Sequence, residues 1–409
     1  MTAPGPATGC TTGYADVVAL GESMVTFLPS CPGSLADVPS FERAIGGAES
    51  NVACCLAASG HTAKWISRVG ADGFGDHLVA AIAAYGVDTT AVQRDPRRPT
   101  GIYFRTAGER ATGRAPAHAG AAAGGASAVP AGGGTSAAPA AGADGFAEVA
   151  YYRAGSAASA MSPRAMPYRD LWSGRILHLS GITAALSDDC LALMRELTTR
   201  RPGRPLVSFD VNHRAGLWRG AEGPRALLDL ARGADIVFVG EDEAEAAWGL
   251  TDGQAIRAAL PEPQVLVVKQ GAGGATAYTC GAGDAPAPGG LPLADARAGG
   301  SARAPGGDTV TFVPAVDVDV VASVGAGDAF AAGFLSATLR GLPPELRLRH
   351  GHLMAAAALT VPGDLGTPPS RAHADRLAEL DGPAWETLHL GPGWTAAGAG
   401  EDQVEVRTV

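Results

Sequence analysis

The chain has 409 residues, 46% of them hydrophobic, and a formal net charge of -10 from 41 acidic against 31 basic residues. That length suits one large α/β domain or two smaller ones, either able to bury a core. The acidic balance, with no run of Lys and Arg, argues against a nucleic-acid partner, and no apolar stretch reaches the roughly 20 residues of a membrane-spanning helix.

Residues 1–14 lack the basic and apolar blocks of a secretory signal and read as a tail. Cys10, Cys31, Cys54, Cys55, Cys190 and Cys280 show no CxxC spacing and no paired framework. Together these features describe a reduced, cytoplasmic protein. Asp16–Leu20 is a short apolar strand. Gly46-Gly47-Ala48-Glu49-Ser50-Asn51 follows, and a helical pattern runs from Asn51 to Ser59. The two glycines allow a ligand close to the backbone, and Asn51 brings a polar side chain to a helix start; a plain N-cap is the alternative. Ala63–Val69 is a strand, and Gly75–Tyr85 a helix closed by Gly86.

Gly101-Ile102-Tyr103-Phe104-Arg105 and Tyr151-Tyr152-Arg153 are strands carrying aromatic and Arg groups, or else an exposed hairpin with a decorated edge. Between them, residues 107–146 are almost all Ala, Gly, Pro and Ser, as are residues 281–308. Neither segment can offset its ordering entropy by burial, so both read as loop insertions. Ile176–Ser180, Leu206–Val211, Ile236–Val239 and Val265–Lys269 are further strands, with helices between them. The last helices open after Gly327 and around Leu346–Thr360, and residues 383–409 read as a tail. Apolar strands alternating with helices predict a parallel sheet covered on both faces. Ligands of such sheets sit outside the carboxyl ends of the strands.

Four constellations lie near those ends. Ser208, Asp210, Asn212 and Arg214 alternate with Val207, Phe209 and Val211, a polar row that packing alone does not explain. Lys269-Gln270-Gly271-Ala272-Gly273-Gly274 joins two strands as a glycine turn; it is not a GxxxxGK[ST] loop, so a P-loop enzyme is disfavoured. Ser323-Val324-Gly325-Ala326-Gly327-Asp328 runs into a helix whose first N–H groups are free to bind an anion. The helix dipole is expected to keep Asp328 ionised, ready to take the proton of a hydroxyl attacking a phosphate. Packing glycines and an N-cap Asp are the plainer account of that segment. His61, His77, His178 and His352 have no metal-ligand spacing.

In this order, GGAESN (46–51), GADGFGD (70–76), DVNHR (210–214), KQGAGG (269–274) and GAGDAF (325–330) resemble the motifs of the PfkB family of carbohydrate kinases. The resemblance covers about residues 16–369 apart from the insertions. It implies an α/β ribokinase-like fold over residues 15–382: a central, mostly parallel sheet flanked by helices, with a small β-sheet lid from residues 22–45 and 100–155. It implies an ATP-dependent kinase in which Gly46, Gly47, Asn51, Tyr103, Arg105, Arg214 and Asp328 bind the sugar. Asn212, Lys269, Gly271, Gly274, Gly325 and Gly327 would hold ATP, and Gly325, Ala326 and Gly327 would form the anion hole. Asp328 would be the base, Glu243 would orient Mg²⁺-bound water, and the lid would join copies into a homo-oligomer. Three positions depart from the family: Ala322 and Ser323 stand where Asp then Thr are usual before the GAGD core, and Gly240 replaces the Asn of NxxE.

TGIYFR (100–105), YYRAGSAASAM (151–161), LHLSGITAALS (177–187) and DVNHRAGLW (210–218) resemble the 2-keto-3-deoxygluconate kinase branch. Arg105 and Arg214 would present two planar forks suited to a substrate carboxylate. A kinase of a neutral sugar or nucleoside, and a non-catalytic sugar- or nucleotide-binding regulator, are the alternatives.

Overall fold

The computed structural model describes residues 14–31, 33–106, 149–218, 222–280 and 307–396, with the backbone of Ala302–Arg303. Strand β1 (Ala15–Leu20) leads through a short turn into β2 (Met24–Pro29) and β3 (Phe41–Gly46). Helix α1 (Ala48–Ala58) returns the chain to β4 (Ala63–Ile66). Strands β5 (Arg68–Gly70) and β6 (Gln93–Asp95) bracket α2 (Gly73–Ala84), and β7 (Ile102–Arg105) and β8 (Val149–Tyr152) follow. Next come α3 (Tyr168–Leu171), β9 (Gly174–Ser180), α4 (Gly181–Ala184), α5 (Asp188–Thr198), β10 (Leu206–Asp210), α6 (Gly223–Gly233) and β11 (Ile236–Gly240). Helices α7 (Glu241–Trp248) and α8 (Gly253–Ala259) precede β12 (Val265–Lys269), β13 (Ala275–Thr279), β14 (Ala302–Arg303), β15 (Thr309–Val313) and β16 (Asp317–Val318). The chain closes with α9 (Ala326–Leu339), α10 (Pro344–Leu359), α11 (Arg371–Ala378), α12 (Gly382–Glu386) and β17 (His389–Leu390).

Nine strands form the central sheet in the order β14-β15-β13-β12-β11-β10-β9-β1-β4. From β4 to β12 every pairing is parallel, and β13, β15 and β14 add an antiparallel edge. Alternation along each strand sends neighbouring residues to opposite faces. Val17 and Ala19 join a core with Val52, Phe334 and Leu353 from α1, α9 and α10. Val18 and Leu20 join a second core with Leu193 and Leu197 of α5 and Leu227 and Leu230 of α6. This is the ribokinase-like α/β architecture the motifs implied. A separate four-stranded sheet, in the order β3-β2-β7-β8, stands apart from the main one. Among the described residues, no helix is long and apolar enough to cross a membrane.

Three sequence expectations need correction. The strand expected over Ala63–Val69 is two strands in different sheets. Arg68 turns to Asp95 (2.8 Å) and Gln93 (3.3 Å), which draws β5 off the main sheet onto β6. Residues 383–396 are packed rather than a tail: Trp385 is buried in the first core, its Nε1 donating to Pro314 O at 3.0 Å, and β17 pairs with β16. Burying an indole removes roughly 200 Å² from water, about 5 kcal/mol, enough to dock the segment. The second insertion is also shorter than expected at its end. Ala302–Arg303 form an edge strand, and Asp308 accepts from Arg257 Nε at 2.6 Å. The first insertion and residues 1–13 lie outside the described residues.

Candidate active site

The carboxyl ends of the parallel strands converge on the start of α9. Gly325 opens that helix with φ of 80°, and a Cβ there would sit 2.1 Å from the carbonyl oxygen of Asp364. A side chain at this position would be strained and would clash, so glycine is required. The first N–H groups of α9 have no partner inside the helix and point toward an incoming anion. A Cβ on Gly327 would lie 3.6 Å from Lys269 Nζ, so an ammonium stands against the same helix end. Backbone donors, dipole and lysine thus favour negative charge at one spot.

Asp328 occupies the first turn of α9 and accepts from Asn51 Nδ2 at 2.9 Å. Its carboxyl is pushed up to about 7. Loss of surrounding water is the main cause; the Asn51 hydrogen bond opposes it, Asp210 and Asp364 add to it, and Lys269 opposes it. The helix dipole therefore does not keep Asp328 fully ionised at neutral pH, contrary to the sequence expectation. Desolvation outweighs a helix end, whose effect is on the order of 1 kcal/mol. The result is a group poised to accept or release a proton near neutrality. Asn51 is buried in the first turns of α1, and its Oδ1 is buried with no partner.

Lys269 ends β12 and holds Asp210, at the end of β10, through contacts of 3.0 and 3.2 Å. Burial works against the ammonium, but Asp210, Glu243 and Asp328 outweigh it and hold its pKa above the ordinary lysine value. Of the polar row read from the sequence, Ser208 and Asp210 lie on β10, while Asn212 and Arg214 fall beyond its end. Ser208 meets His178 Nδ1 at 3.0 Å inside the sheet, and burial pushes that imidazole down to about 3, so it stays neutral. Asn212 has φ of 40°, the one non-glycine residue at positive φ among those described, with a buried, unpartnered Oδ1. Such strain collects at ligand sites. Arg214 is exposed and reaches Glu243 Oε1 at 3.4 Å, while Glu243 Oε2 accepts from Gly240 N–H at 3.0 Å. Gly271 (φ 57°) and Gly274 (φ 131°) shape the β12–β13 turn, and a Cβ on Gly274 would meet Val313 O at 2.4 Å.

The small sheet reaches the site through β7. Tyr103 Oη donates to Asp364 Oδ2 at 2.9 Å, and Arg105 Nη2 to Asp364 Oδ1 at 2.8 Å. Gly46 leaves room for this contact, since a Cβ there would lie 2.2 Å from Tyr103 Oη. Gly47 likewise admits the backbone of Glu22 and Ser23. Arg105 was expected to offer its fork to a substrate carboxylate. Instead its charge is paired with Asp364, both side chains being almost fully buried. Sequence reasoning missed Asp364, which follows α10 in the loop Pro362-Gly363-Asp364-Leu365-Gly366; an acid set between two glycines was the available signal. It also missed two buried acids under the small sheet. Glu22, after β1, pairs with Arg153 and accepts from Ser156 Oγ at 2.6 Å. Glu49, in α1, accepts from Thr183 Oγ1 at 2.6 Å.

The profile of the pfkB family carbohydrate kinases matches residues 15–123 and 137–371. A 2-dehydro-3-deoxygluconokinase of Bacillus subtilis is 29% identical over 87% of this chain and 93% of that protein. A probable chloroplastic fructokinase of Arabidopsis thaliana is 28% identical over 84% of this chain and 77% of that protein. Among solved structures, the PfkB protein of Polaromonas sp. JS666 is 29% identical with a TM-score of 0.65, covering 88% of this chain and 99% of that one. With the parallel sheet, the glycine-led start of α9 and the acid within its first turn, these matches agree on one answer: the chain belongs to the pfkB family of carbohydrate kinases.

Proposed function

We propose that this kinase transfers the γ-phosphoryl group of ATP to the 6-hydroxyl of a sugar acid, 2-keto-3-deoxygluconate, with Asp328 as general base. The observation that carries the reading is the Asn51–Asp328 pair at the anion-binding end of α9. Asp328 can take the hydroxyl proton, while the orphaned Asn51 Oδ1 is an acceptor waiting for a sugar hydroxyl. As the proton moves to Asp328, the sugar oxygen bonds to the γ-phosphorus and the bond to the bridging oxygen of ADP breaks. The amides of Gly325, Ala326 and Gly327, with Lys269, offset the charge on the transferred group. Asn212, Gly271 and Gly274 line the approach assigned to the nucleotide. Mg²⁺ favours one or two carboxylates together with phosphate oxygens and waters. Glu243 and Asp210 are donors of that kind, and the ion would neutralise phosphate charge. The small sheet, seated through Tyr103 and Arg105, acts as the lid that keeps water out.

The sugar-acid reading rests on the family branch and on Arg214, because Arg105 is already paired. Arg214 is exposed, and its Nη1 donates to His213 O at 3.2 Å and to Glu243 Oε1 at 3.4 Å, which leaves the rest of its fork for a carboxylate. The commitment of Arg105 to Asp364 favours the second reading, a neutral-sugar kinase. A coupled ADP-release assay separates them, with 2-keto-3-deoxygluconate, fructose, ribose and adenosine on the parent and on Arg214→Ala. A lost charge-assisted hydrogen bond is worth about 1.5–3 kcal/mol, roughly ten- to a hundredfold. That penalty should fall on the acid and hardly touch a neutral sugar. Equal or better turnover of a neutral sugar by the parent overturns the acid reading.

A further inference from the structure

Glu49 is completely buried in the first turn of α1, two residues before Asn51. Its carboxyl lies flat against Gly21, where a Cβ would come within 2.0 Å of Cδ. Thr183 Oγ1, from α4, donates to Oε1 at 2.6 Å, and Oε2 has no partner. Among the described residues, no Lys, Arg or His pairs with it. The charged groups that act on it are acids: Asp328 from α9 and Glu22 from the turn after β1, the latter already tied to Arg153. A bare carboxylate in this place would be an uncompensated buried charge, which proteins avoid by holding the group neutral.

We propose that Glu49 is a positioning residue that works as a neutral acid: by gripping Thr183 and the Gly21 turn it sets the first turn of α1, and with it Asn51 against Asp328, and loss of its proton sets the alkaline limit of turnover. The helix end would favour the charged form, yet burial, reinforced by Asp328 and Glu22, raises the Glu49 pKa to about 8. Above that value a new negative charge faces Asp328 with no cation beside it. The Thr183 hydrogen bond survives this, since it favours the charged form; the repulsion falls on Asp328 and disturbs its pair with Asn51. The turnover part of this inference rests on Asp328 being the base; the buried neutral acid does not.

Two measurements test it. The first is the melting temperature from pH 5 to 9 for the parent and Glu49→Gln, with no substrate present. A carboxyl whose pKa is raised on folding loses stability as pH climbs from the unfolded glutamate value through about 8. Gln has no such proton, so the variant should gain on the parent steadily across that window. A constant difference between the two curves overturns the neutral acid. The second is the pH profile of kcat. The alkaline limb of the parent should move up by at least about one unit in Glu49→Gln. Glu49→Ala should lose about ten- to a hundredfold in kcat with a smaller change in KM, the scale of a misplaced catalytic group, and Gln should recover part of that loss. A Glu49→Gln profile that superimposes on the parent overturns Glu49 as the source of the alkaline limit, and a Glu49→Ala enzyme that keeps the parent's kcat overturns the positioning role. If Glu49→Ala does not fold, the Gln variant alone decides. Because melting needs neither substrate nor base, a wrong assignment of either would leave the first result intact.

Discussion

Replacing Asn51 by Leu probes the electrostatics of the site most directly. Asn51 Nδ2 donates to Asp328 at 2.9 Å and is the chief influence holding that carboxyl down against desolvation. A hydrogen bond to a charged group is worth about 1.5–3 kcal/mol. At about 1.4 kcal/mol per unit, its loss should raise the Asp328 pKa by roughly one to two units. A base must be unprotonated to accept the hydroxyl proton, so the acid limb of kcat, expected in the parent near the Asp328 value of about 7, should move toward about pH 8–9. Leu shares the branching of Asn but is bulkier, so it opens no cavity and its structural cost is one of overpacking. The assay is coupled ADP release at saturating sugar and nucleotide from pH 5 to 9, where kcat reports the bound complex and loss of sugar affinity does not interfere. In the parent background the shifted limb would run into the alkaline fall, so the peak should be narrow and low. In the Glu49→Gln background it should appear unclipped. An Asn51→Leu enzyme that is active with its acid limb still near 7 would refute the assignment of Asp328 as the titrating base.

Two further outcomes follow from packing. Asp364→Ala leaves the Arg105 guanidinium buried without its partner and should cost about 3–5 kcal/mol in urea denaturation, whereas Arg105→Met/Asp364→Leu together should recover much of it; equal costs for single and double variants would show that the two are not one unit. We also propose that copies associate through the small sheet. Phe104 stacks on Phe27 at 4.7 Å and meets Phe41 and Tyr152 edge-on, leaving a half-exposed aromatic face on which Phe104→Glu should yield monomers in sedimentation; a monomeric parent refutes this.

The order of elements in the main sheet was legible because its central strands are buried on both faces and stand out as apolar runs. Gly325 could be read for the same kind of reason, since a backbone position that excludes a Cβ advertises itself as glycine. Arg105 shows where such reading stops. A strand face says which way a guanidinium points, but its partner Asp364 is 259 residues away in sequence and meets it only through the fold. Trp385 and Trp394 were passed over because the end of the chain has little periodicity, although two tryptophans in ten residues were a signal of burial. The ionisation of Asp328 was misjudged in a different way. A local feature, the helix end, suggested one direction, and tertiary crowding supplied a larger effect of opposite sign.

That crowding is selective. Five acids gather where the strand ends meet the small sheet, and three face a direct cation: Asp210 has Lys269, Asp364 has Arg105 and Glu22 has Arg153. Burial raises Asp364 even so; Asp328 and Glu49, which have hydrogen-bonding partners but no direct ion pair, are raised to about 7 and about 8. Asp328 is one of the groups that raise the cost of charging Glu49. A phosphoryl acceptor needs a base that is mostly free of its proton yet basic enough to take one, which places the useful pKa close to the working pH. With the first proton leaving Asp328 and the second leaving Glu49, the singly ionised pair spans a narrow window just above neutrality. A cation beside Glu49 would pull its proton off earlier and close that window from above, and the charge left behind would bear on Asp328. Leaving Glu49 without a counterion is therefore what keeps the base usable, at the cost of an alkaline limit built into the helix that carries Asn51.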